Sequence, residues 1–132
     1  MIYLDSCALV KLVSPAPETA ALERYLRGHS AEHHVASALV RTEVRRALAR
    51  IGATPKQRST ADKLLDAVIT ISITDDLLDT AGRLPDPGLR SLDAIHLATA
   101  LHLGGGLSDF VTYDRRLLGA AERAGLSTAA PH

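Results

Sequence analysis

Residues 91–114 have the sequence SLDAIHLATALHLGGGLSDFVTYD. The apolar run LDAIHLATALHL predicts a helix that Ser91 caps and that the glycines at 104–106 end. The run FVTY that follows is short and rich in β-branched and aromatic residues, which predicts a strand. Asp114 comes directly after this strand and begins another predicted helix, which ends at Gly125. Strands that alternate with helices in this way are typical of α/β domains.

The same alternation extends through the rest of the chain. The strands predicted from short apolar runs are residues 2–5, 34–36, 69–73 and, at one edge, 126–129. The predicted helices are one that Ser6 caps before Pro15, one over 18–27, one from Ser37 to Gly52, one that follows the Thr54 cap over 55–68, and one over 75–84. We therefore expect one domain, residues 1–132, of the three-layer α/β/α class with a mainly parallel central sheet.

The composition excludes several classes of protein. Hydrophobic residues make up 46% of the chain and charged residues 23%, the balance of a globular protein with a real core. A single cysteine, Cys7, excludes an internal disulfide and a zinc site built from several cysteines. Lys and Arg number 15, as do Asp and Glu, so bulk positive charge does not drive nucleic-acid binding. Aromatic residues are 3%, which argues against a base-stacking platform.

The N-terminal segment MIYLDSCALVKLV gives no sign of a targeting signal. It carries an acid at position 5 and no basic residue before its apolar stretch, unlike a signal peptide. No apolar run approaches the roughly 20 residues that a membrane span needs. We therefore expect a cytoplasmic protein with no membrane partner.

Four acidic residues occupy positions that the predicted fold gathers. Asp5 ends the first strand and Asp114 follows a later one, and parallel strands bring their carboxyl ends to one edge of the sheet. Asp93 lies in the first turn of its helix, and helix N-termini lie at that same edge. Glu43 is in the middle of a helix, SALVRTEVRRAL, that is otherwise built to pack. We expect the four side chains to meet.

A meeting of four carboxylates raises a charge problem that a cation would solve. Two carboxylates about 5 Å apart repel by roughly 3 kcal/mol at an effective dielectric constant near 20. An all-oxygen site suits the hard ions Mg²⁺ and Mn²⁺, which also bind phosphate oxygens. Such an ion acidifies water and stabilises the charge of a phosphoryl transition state.

Each acid also has an ordinary explanation. Asp is favoured at helix N-caps, which suits Asp5 and Asp114. An acid in a first turn gains from the helix dipole, as Asp93 would. Glu43 would then pair with Arg46 or with Arg50. These explanations weaken when all four have to hold at once.

Two further residues near these acids have simple structural explanations. His96 lies one helical turn after Asp93, and we expect it to pack in the core rather than to act as a ligand or base. Cys7, in an apolar stretch, is expected to be a small buried hydrophobic residue.

Four segments of the chain resemble the PIN domain family, and most closely the VapC toxins of VapBC toxin–antitoxin systems. They are YLDSCALVKL near the N-terminus, SALVRTEVRRALAR, SLDAIHLATAL, and VTYDRRLLGAAERAGL near the C-terminus. The resemblance runs from residue 2 to about residue 126. The segment LDAIHLATA followed by VTYD is its most specific part.

The resemblance implies a metal-dependent ribonuclease that hydrolyses RNA phosphodiester bonds. By motif position, Asp5, Glu43, Asp93 and Asp114 would form the acidic quartet around Mg²⁺ or Mn²⁺. Asp5 and Asp93 would be the main ligands and Asp114 a second or water-mediated one. Glu43 would position the attacking water or hold a second ion. RNA as the substrate comes from the resemblance, and the sequence does not identify which RNA is cut.

The resemblance also implies supporting residues and partners. The hydroxyl groups of Ser6 and Thr112 would orient the first and last acids. Some family members carry a further acid after the last one, where this chain has Arg115 and Arg116, so one metal or two stays open. These two arginines are candidate RNA-phosphate contacts. The implied partners are a cognate antitoxin and a second copy of the chain, with the helices predicted at 18–27 and 55–68 as candidate groove walls.

Three alternatives remain beside this interpretation. The first is a non-catalytic PIN-like module that acts only through an antitoxin in operon repression. The second is a receiver-like domain, which requires paired acids after the first strand and a late lysine. This chain has only Asp5 there and no lysine beyond Lys63, which counts against the receiver class. The third is deoxyribonuclease activity at the same acidic site.

Overall fold

A sheet of five parallel strands forms the centre of the fold. The structure, a computed structural model, describes all 132 residues. The strands are β1 (Ile2–Leu4), β2 (His34–Ser37), β3 (Ile69–Ile71), β4 (Asp109–Val111) and β5 (Thr128–Ala129). They are ordered β3-β2-β1-β4-β5, and every neighbouring pair is parallel. The short final strand lies at an edge, as the sequence predicts.

Seven helices connect and cover these strands. They are α1 (Ser6–Val13), α2 (Thr19–Gly28), α3 (Val40–Arg50), α4 (Pro55–Ala67), α5 (Asp75–Gly82), α6 (Ser91–Leu103) and α7 (Arg115–Arg123). A single 3₁₀ turn over Gly104–Gly106 follows α6. None of the helices is long and apolar enough to cross a lipid bilayer.

The alternating side chains of β1 explain why the sheet is covered on both faces. Ile2 and Leu4 are buried in one cluster with side chains of α1 to α4. Tyr3 points to the other face, where it stacks on Phe110 and packs with Leu97 of α6 and with residues of α7. Helix α5 packs against the outside of α6. Full burial of each large apolar side chain contributes about 1.5–3 kcal/mol. The predicted three-layer α/β/α class with a parallel sheet is confirmed.

The strand order decides which loops meet. β1 lies between β2 and β4, with Leu4 in register with Val111. The backbone N–H of Asp5 donates to the carbonyl of Val111, 3.3 Å away. Asp114 comes three residues after the end of β4. The two acids that follow strands therefore lie at the same edge of the sheet.

Three predicted helix starts are wrong in detail. The cap of α1 is Asp5 rather than Ser6, and its carboxylate accepts the N–H of Ala8. Ser37 is the last residue of β2, and α3 begins only at Val40, without a side-chain cap. Ser91 is the first residue of α6 rather than its cap.

The caps predicted at Thr54 and Asp114 are correct. The Thr54 hydroxyl accepts the N–H of Gln57, whose side chain accepts the N–H of Thr54 in return, which completes a capping box. Asp114 accepts two backbone N–H groups of α7.

Candidate active site

Asp5 is a buried carboxylate surrounded by hydrogen-bond donors. It is 3% exposed. One oxygen accepts the N–H of Ala8 at 2.9 Å and the thiol of Cys7 at 3.0 Å. The other accepts the hydroxyl of Thr112 at 2.5 Å. Burial raises the pKa of Asp5 from its ordinary value, and these donors oppose that rise. The surrounding groups therefore orient this carboxylate and partly stabilise its charge.

Thr112 links Asp5 to Asp114. Its hydroxyl donates to Asp5 and accepts the backbone N–H of Asp114 at 3.1 Å. Thr112 is fully buried, so this geometry is fixed by the core. The other hydroxyl that the sequence singles out, on Ser6, makes no hydrogen bond to an acid and instead lines the adjacent groove.

Cys7 has a more polar role than the sequence predicts. Its thiol donates to Asp5, and its sulfur accepts the backbone N–H of Tyr113 at 3.3 Å. The residue is partly exposed rather than fully buried. Burial, together with the neighbouring negative charge of Asp5, raises the pKa of the Cys7 thiol to about 12. It therefore stays protonated and remains a donor to the carboxylate at neutral pH.

Asp114 combines a helix cap with a position in the groove. One of its oxygens accepts the N–H groups of Arg116 and Leu117, both at 2.9 Å. The other oxygen has no hydrogen-bond partner, and the side chain is exposed on the groove surface. The helix cap therefore uses one oxygen of Asp114 and leaves the other without a hydrogen-bond partner at the groove.

The pKa of Asp93 shows that the four acids share one electrostatic environment. Asp93 lies in the first turn of α6 and is only partly buried. Burial raises its pKa most, followed by the negative charge of Asp114, and Asp5 and Glu43 raise it further. The three acids predicted to surround Asp93 are thus the three that act on it.

Glu43 has a partner that the sequence does not indicate. It lies on α3, partly exposed, and accepts a 2.6 Å hydrogen bond from Nε2 of His96. The ordinary explanation for Glu43, an ion pair with Arg46 or with Arg50, does not hold, because neither arginine pairs with it. His96 is 1% exposed, so its predicted burial is correct. The sequence carries no signal for this contact, because 53 residues separate the two side chains.

An open groove of about 800 Å³ runs beside these acids. Glu43 and Asp114 line it directly, and Ser6 and Leu92, the chain neighbours of Asp5 and Asp93, also line it. Its basic lining residues are Lys11, Arg46 and Arg50. The walls are α1 and α3, whereas the sequence favoured α2 and α4. That expectation is wrong because α2 and α4 pack outside α1 and α3 and contribute no lining residue.

The acids are suited to a hard divalent cation, although they do not form a complete ligand cage. No three His, Cys, Asp or Glu side chains are placed so that they could hold an ion by themselves. Mg²⁺ is usually held by one or two carboxylates together with water and substrate phosphates, so a complete cage is not required. Asp93 has no hydrogen-bond partner for its carboxylate, and Asp114 has one unpartnered oxygen. These are hard oxygen donors in a negative environment.

Arg115 and Arg116 follow Asp114 directly but do not line the groove. With Arg123 of α7 and the loop around Asp86 they line a second cavity of about 450 Å³. Both side chains are exposed and neither forms an ion pair, whereas Arg123 pairs with Asp86. The structure thus gives Asp114 two neighbouring cations that no carboxylate neutralises.

Comparison with known proteins identifies the family. The PIN domain model matches residues 2–123. Ribonuclease VapC46 of Mycobacterium tuberculosis (strain ATCC 25618 / H37Rv) is 45% identical over 130 residues, 98% of this chain and 97% of that protein. Ribonuclease VapC47 of M. tuberculosis (strain CDC 1551 / Oshkosh) is 41% identical over 133 residues, 99% of this chain and 97% of that protein.

Solved structures share the fold. The crystal structure of VapC20 from M. tuberculosis, described as a toxin that cleaves the sarcin–ricin loop, has a TM-score of 0.75 at 19% identity, covering 99% of this chain and 100% of that one. A toxin–antitoxin complex from Klebsiella pneumoniae has a TM-score of 0.72 at 22% identity, covering 100% of this chain and 98% of that one. With these matches, the chain belongs to the PIN domain family, where it groups with the VapC ribonucleases.

Proposed function

We propose that this protein is an endoribonuclease that acts as the toxin of a type II toxin–antitoxin pair and requires Mg²⁺ or Mn²⁺. The observation that carries the proposal is the hydrogen-bonded link from Asp5 through Thr112 to Asp114, beside which the negative charges of Asp114, Asp5 and Glu43 raise the pKa of Asp93. Relatives that align over nearly the whole chain are named ribonucleases, which supports RNA as the substrate. The protein would act as a single domain, residues 1–132, in the cytoplasm.

The role proposed for each acid follows from the groups around it. Asp5 and Asp93 would be the main metal ligands, with Asp114 contributing its free oxygen directly or through water. Asp5 is held for this task by Thr112 and Cys7. A bound divalent cation would stabilise charge on the phosphate oxygens and acidify the attacking water.

Glu43 would orient the attacking water. Its Oε1 is engaged by His96, while Oε2 has no protein partner. A carboxylate oxygen at this edge of the groove would accept a hydrogen bond from a water and align it opposite the leaving oxygen. The same oxygen would alternatively hold a second cation that arrives with the substrate.

The basic residues around the acids would bind the RNA backbone. Arg115 and Arg116 follow Asp114 directly and have no acidic partners, so their charge is available to phosphates. Lys11 is paired with Glu18 at 3.0 Å and is less available. Contacts of this kind position the RNA without reading its sequence.

The groove would also receive the antitoxin. Ile51 and Leu92 line it and are 56% and 49% exposed, a high value for large apolar side chains. Beside them, Glu43 and Asp114 supply negative charge. An antitoxin segment with an apolar helix face, or with an arginine, would match this combination and block the acids. A homodimer with both grooves facing each other remains part of the proposal.

Cleavage of total cellular RNA by the purified protein tests this function. We expect cutting with Mg²⁺ or Mn²⁺, none with a chelator, and none for Asp5→Asn or Asp93→Asn. Asp75→Asn is the matched control, because Asp75 is an exposed first-turn acid of another helix.

Three results would contradict the proposal. They are an Asp93→Asn variant as active as wild type, activity that survives chelation, and a wild type that cuts no RNA. The last result would favour a non-catalytic module that acts through its antitoxin. A parallel arm with single- and double-stranded DNA distinguishes a ribonuclease from a deoxyribonuclease.

A further inference from the structure

His96 is a buried imidazole with both ring nitrogens engaged. Nδ1 lies 2.7 Å from the hydroxyl of Tyr3, and Nε2 lies 2.6 Å from Oε1 of Glu43. The His96 ring also meets Tyr3 edge-on, with ring centroids 5.9 Å apart. A buried polar ring without partners would cost free energy, and this one has two. The three residues come from β1, α3 and α6, so the contacts join three separate elements.

The directions of these hydrogen bonds depend on the imidazole tautomer, which we assign from the contacts of the Tyr3 hydroxyl. The backbone N–H of Ser37 donates to the Tyr3 oxygen at 3.1 Å. The Tyr3 proton is then free to donate to Nδ1 of His96. With Nδ1 accepting, the proton of a neutral imidazole lies on Nε2 and donates to Glu43. Burial raises the pKa of Tyr3 well above its ordinary value, so its hydroxyl keeps its proton.

These contacts from Tyr3 through His96 to Glu43, called the relay below, tie Glu43 to the helix that carries Asp93. Glu43 and Asp93 are two of the proposed catalytic acids. His96 is three residues after Asp93 on α6, whereas Glu43 lies on α3. Because residues 96–100 of α6 are all buried, this stretch of the helix is held firmly in the core, and the His96 bond fixes the distance between Glu43 and Asp93. Engagement of Oε1 leaves Oε2 as the oxygen without a protein partner on Glu43, a residue that lines the groove.

We propose that His96 is a positioning residue that holds the Glu43 carboxylate in its working orientation, and that the Tyr3 hydroxyl fixes the imidazole tautomer. The inference rests on the proposed ribonuclease function, in which Glu43 orients water. His96 itself touches neither substrate nor metal in this scheme. Loss of the relay therefore slows the chemical step and leaves RNA binding intact.

The kinetic test compares kcat and KM of RNA cleavage in wild type and six variants, one of which is Glu43→Gln alone. We expect His96→Leu to lower kcat about 10- to 100-fold with KM unchanged. His96→Gln, which retains an N–H donor, should restore most of this loss. Tyr3→Phe should lower kcat by less, because the imidazole then loses only the hydroxyl that fixes its tautomer. His96→Leu should add little loss in a Glu43→Gln background, since both changes act through one carboxylate. His102→Gln, an exposed histidine on the same helix, is the control.

A purely structural histidine would behave differently. In that case His96→Leu would lower the melting temperature and the fraction of active protein but leave kcat per folded molecule unchanged. Alternatively, the loss of activity in His96→Leu would add to the loss in Glu43→Gln. Either result overturns the proposal. Failure of His96→Gln to restore kcat in a folded protein overturns it as well.

A second measurement tests the inference without an activity assay. In the long-range ¹H–¹⁵N spectrum of wild-type protein, we expect a protonated Nε2 and a bare Nδ1 for His96. A proton on Nδ1 with a bare Nε2, or rapid exchange between the two tautomers, overturns the relay. If wild type cuts no RNA but shows the expected tautomer, the ribonuclease function fails while the His96–Glu43 geometry stands.

Discussion

Asp5 has two tasks that use one carboxylate. It caps α1 by accepting the N–H of Ala8, and it belongs to the acidic cluster at the end of β1. The local task explains why an acid is tolerated at 3% exposure, because the cap and two side-chain donors replace water. The same donors hold the carboxylate in one orientation. A carboxylate that stabilises the fold as a helix cap can therefore also belong to an acidic site.

Asp93 offers the clearest test of the acidic cluster at the residue scale. Its carboxylate has no donor to offset the repulsion, and its pKa is raised by burial and by its acidic neighbours. A raised folded-state pKa favours the neutral form, so the stability that Asp93 contributes is present below about pH 4 and lost as pH rises through the folded pKa.

We expect Asp93→Asn to raise the melting temperature in metal-free buffer at pH 7. Solvent screening at this half-exposed site limits the gain to roughly 0.5 kcal/mol, about 2 °C. The gain should shrink as the pH falls toward 4. Thermal unfolding followed by circular dichroism checks this, with Asp75→Asn as the unchanged control. A lower melting temperature for Asp93→Asn at pH 7 would count against the clustering.

How far the sequence predicts the site depends on the residue. Asp5 and Asp114 could be placed because each follows a strand, and strand ends share an edge in a parallel sheet. The bond between His96 and Glu43 could not, because 53 residues separate them and the contact depends on how α3 packs beside α6. The arginine partners considered from the sequence were local, because Arg46 and Arg50 lie three and seven residues after Glu43. The packing of α3 beside α6 therefore determines the partner of Glu43, rather than the residues close to it in sequence.

At the scale of helices and strands, serine residues did not identify the starts of helices correctly. Ser37 is buried in β2, where its N–H bonds to the Tyr3 hydroxyl, and its own hydroxyl accepts the N–H of Leu39, so it lies three residues before the first residue of α3. Ser91 lies inside α6 and makes no capping bond. Thr54 is followed by Pro55 and then by Gln57, and this longer pattern identified its cap correctly. A motif of several residues carries more information than one capping residue.

We therefore expect Thr54→Ala and Ser91→Ala to differ. Thr54→Ala removes a cap and one half of a capping box, which costs about 1 kcal/mol of the free energy of unfolding. Ser91→Ala removes no capping bond and replaces an exposed residue with a better helix former, so its effect should stay within about 0.5 kcal/mol. Urea unfolding of both variants checks this. Equal losses in the two would mean that α6 is capped by Ser91 after all.

At the scale of the whole molecule, the sheet order creates the site. β1 lies between β2 and β4, which brings the ends of three strands and the start of α6 to one edge. The alternation of strands and helices predicts this class of fold, but it does not predict the strand order. The groove walls depend on that order and on helix packing, which is why α1 and α3 replaced the expected α2 and α4.

A cation that binds only the folded protein should stabilise the whole molecule. Binding at a hundred times Kd adds about 2.7 kcal/mol to the free energy of unfolding. We expect Mg²⁺ or Mn²⁺ to raise the melting temperature of wild type by several degrees, and to raise that of Asp93→Asn clearly less. Asp75→Asn should respond as wild type does. Equal responses in all three proteins would mean that the ion binds away from Asp93.

The most direct test of the acidic site is an anomalous difference map from crystals of the protein grown with Mn²⁺. We expect a peak within coordination distance of the Asp93 carboxylate that is shared with Asp5 or with Asp114. Crystals of Asp93→Asn grown under the same conditions should lack it. Full-occupancy Mn²⁺ bound elsewhere, with no peak among the four acids, would contradict the account.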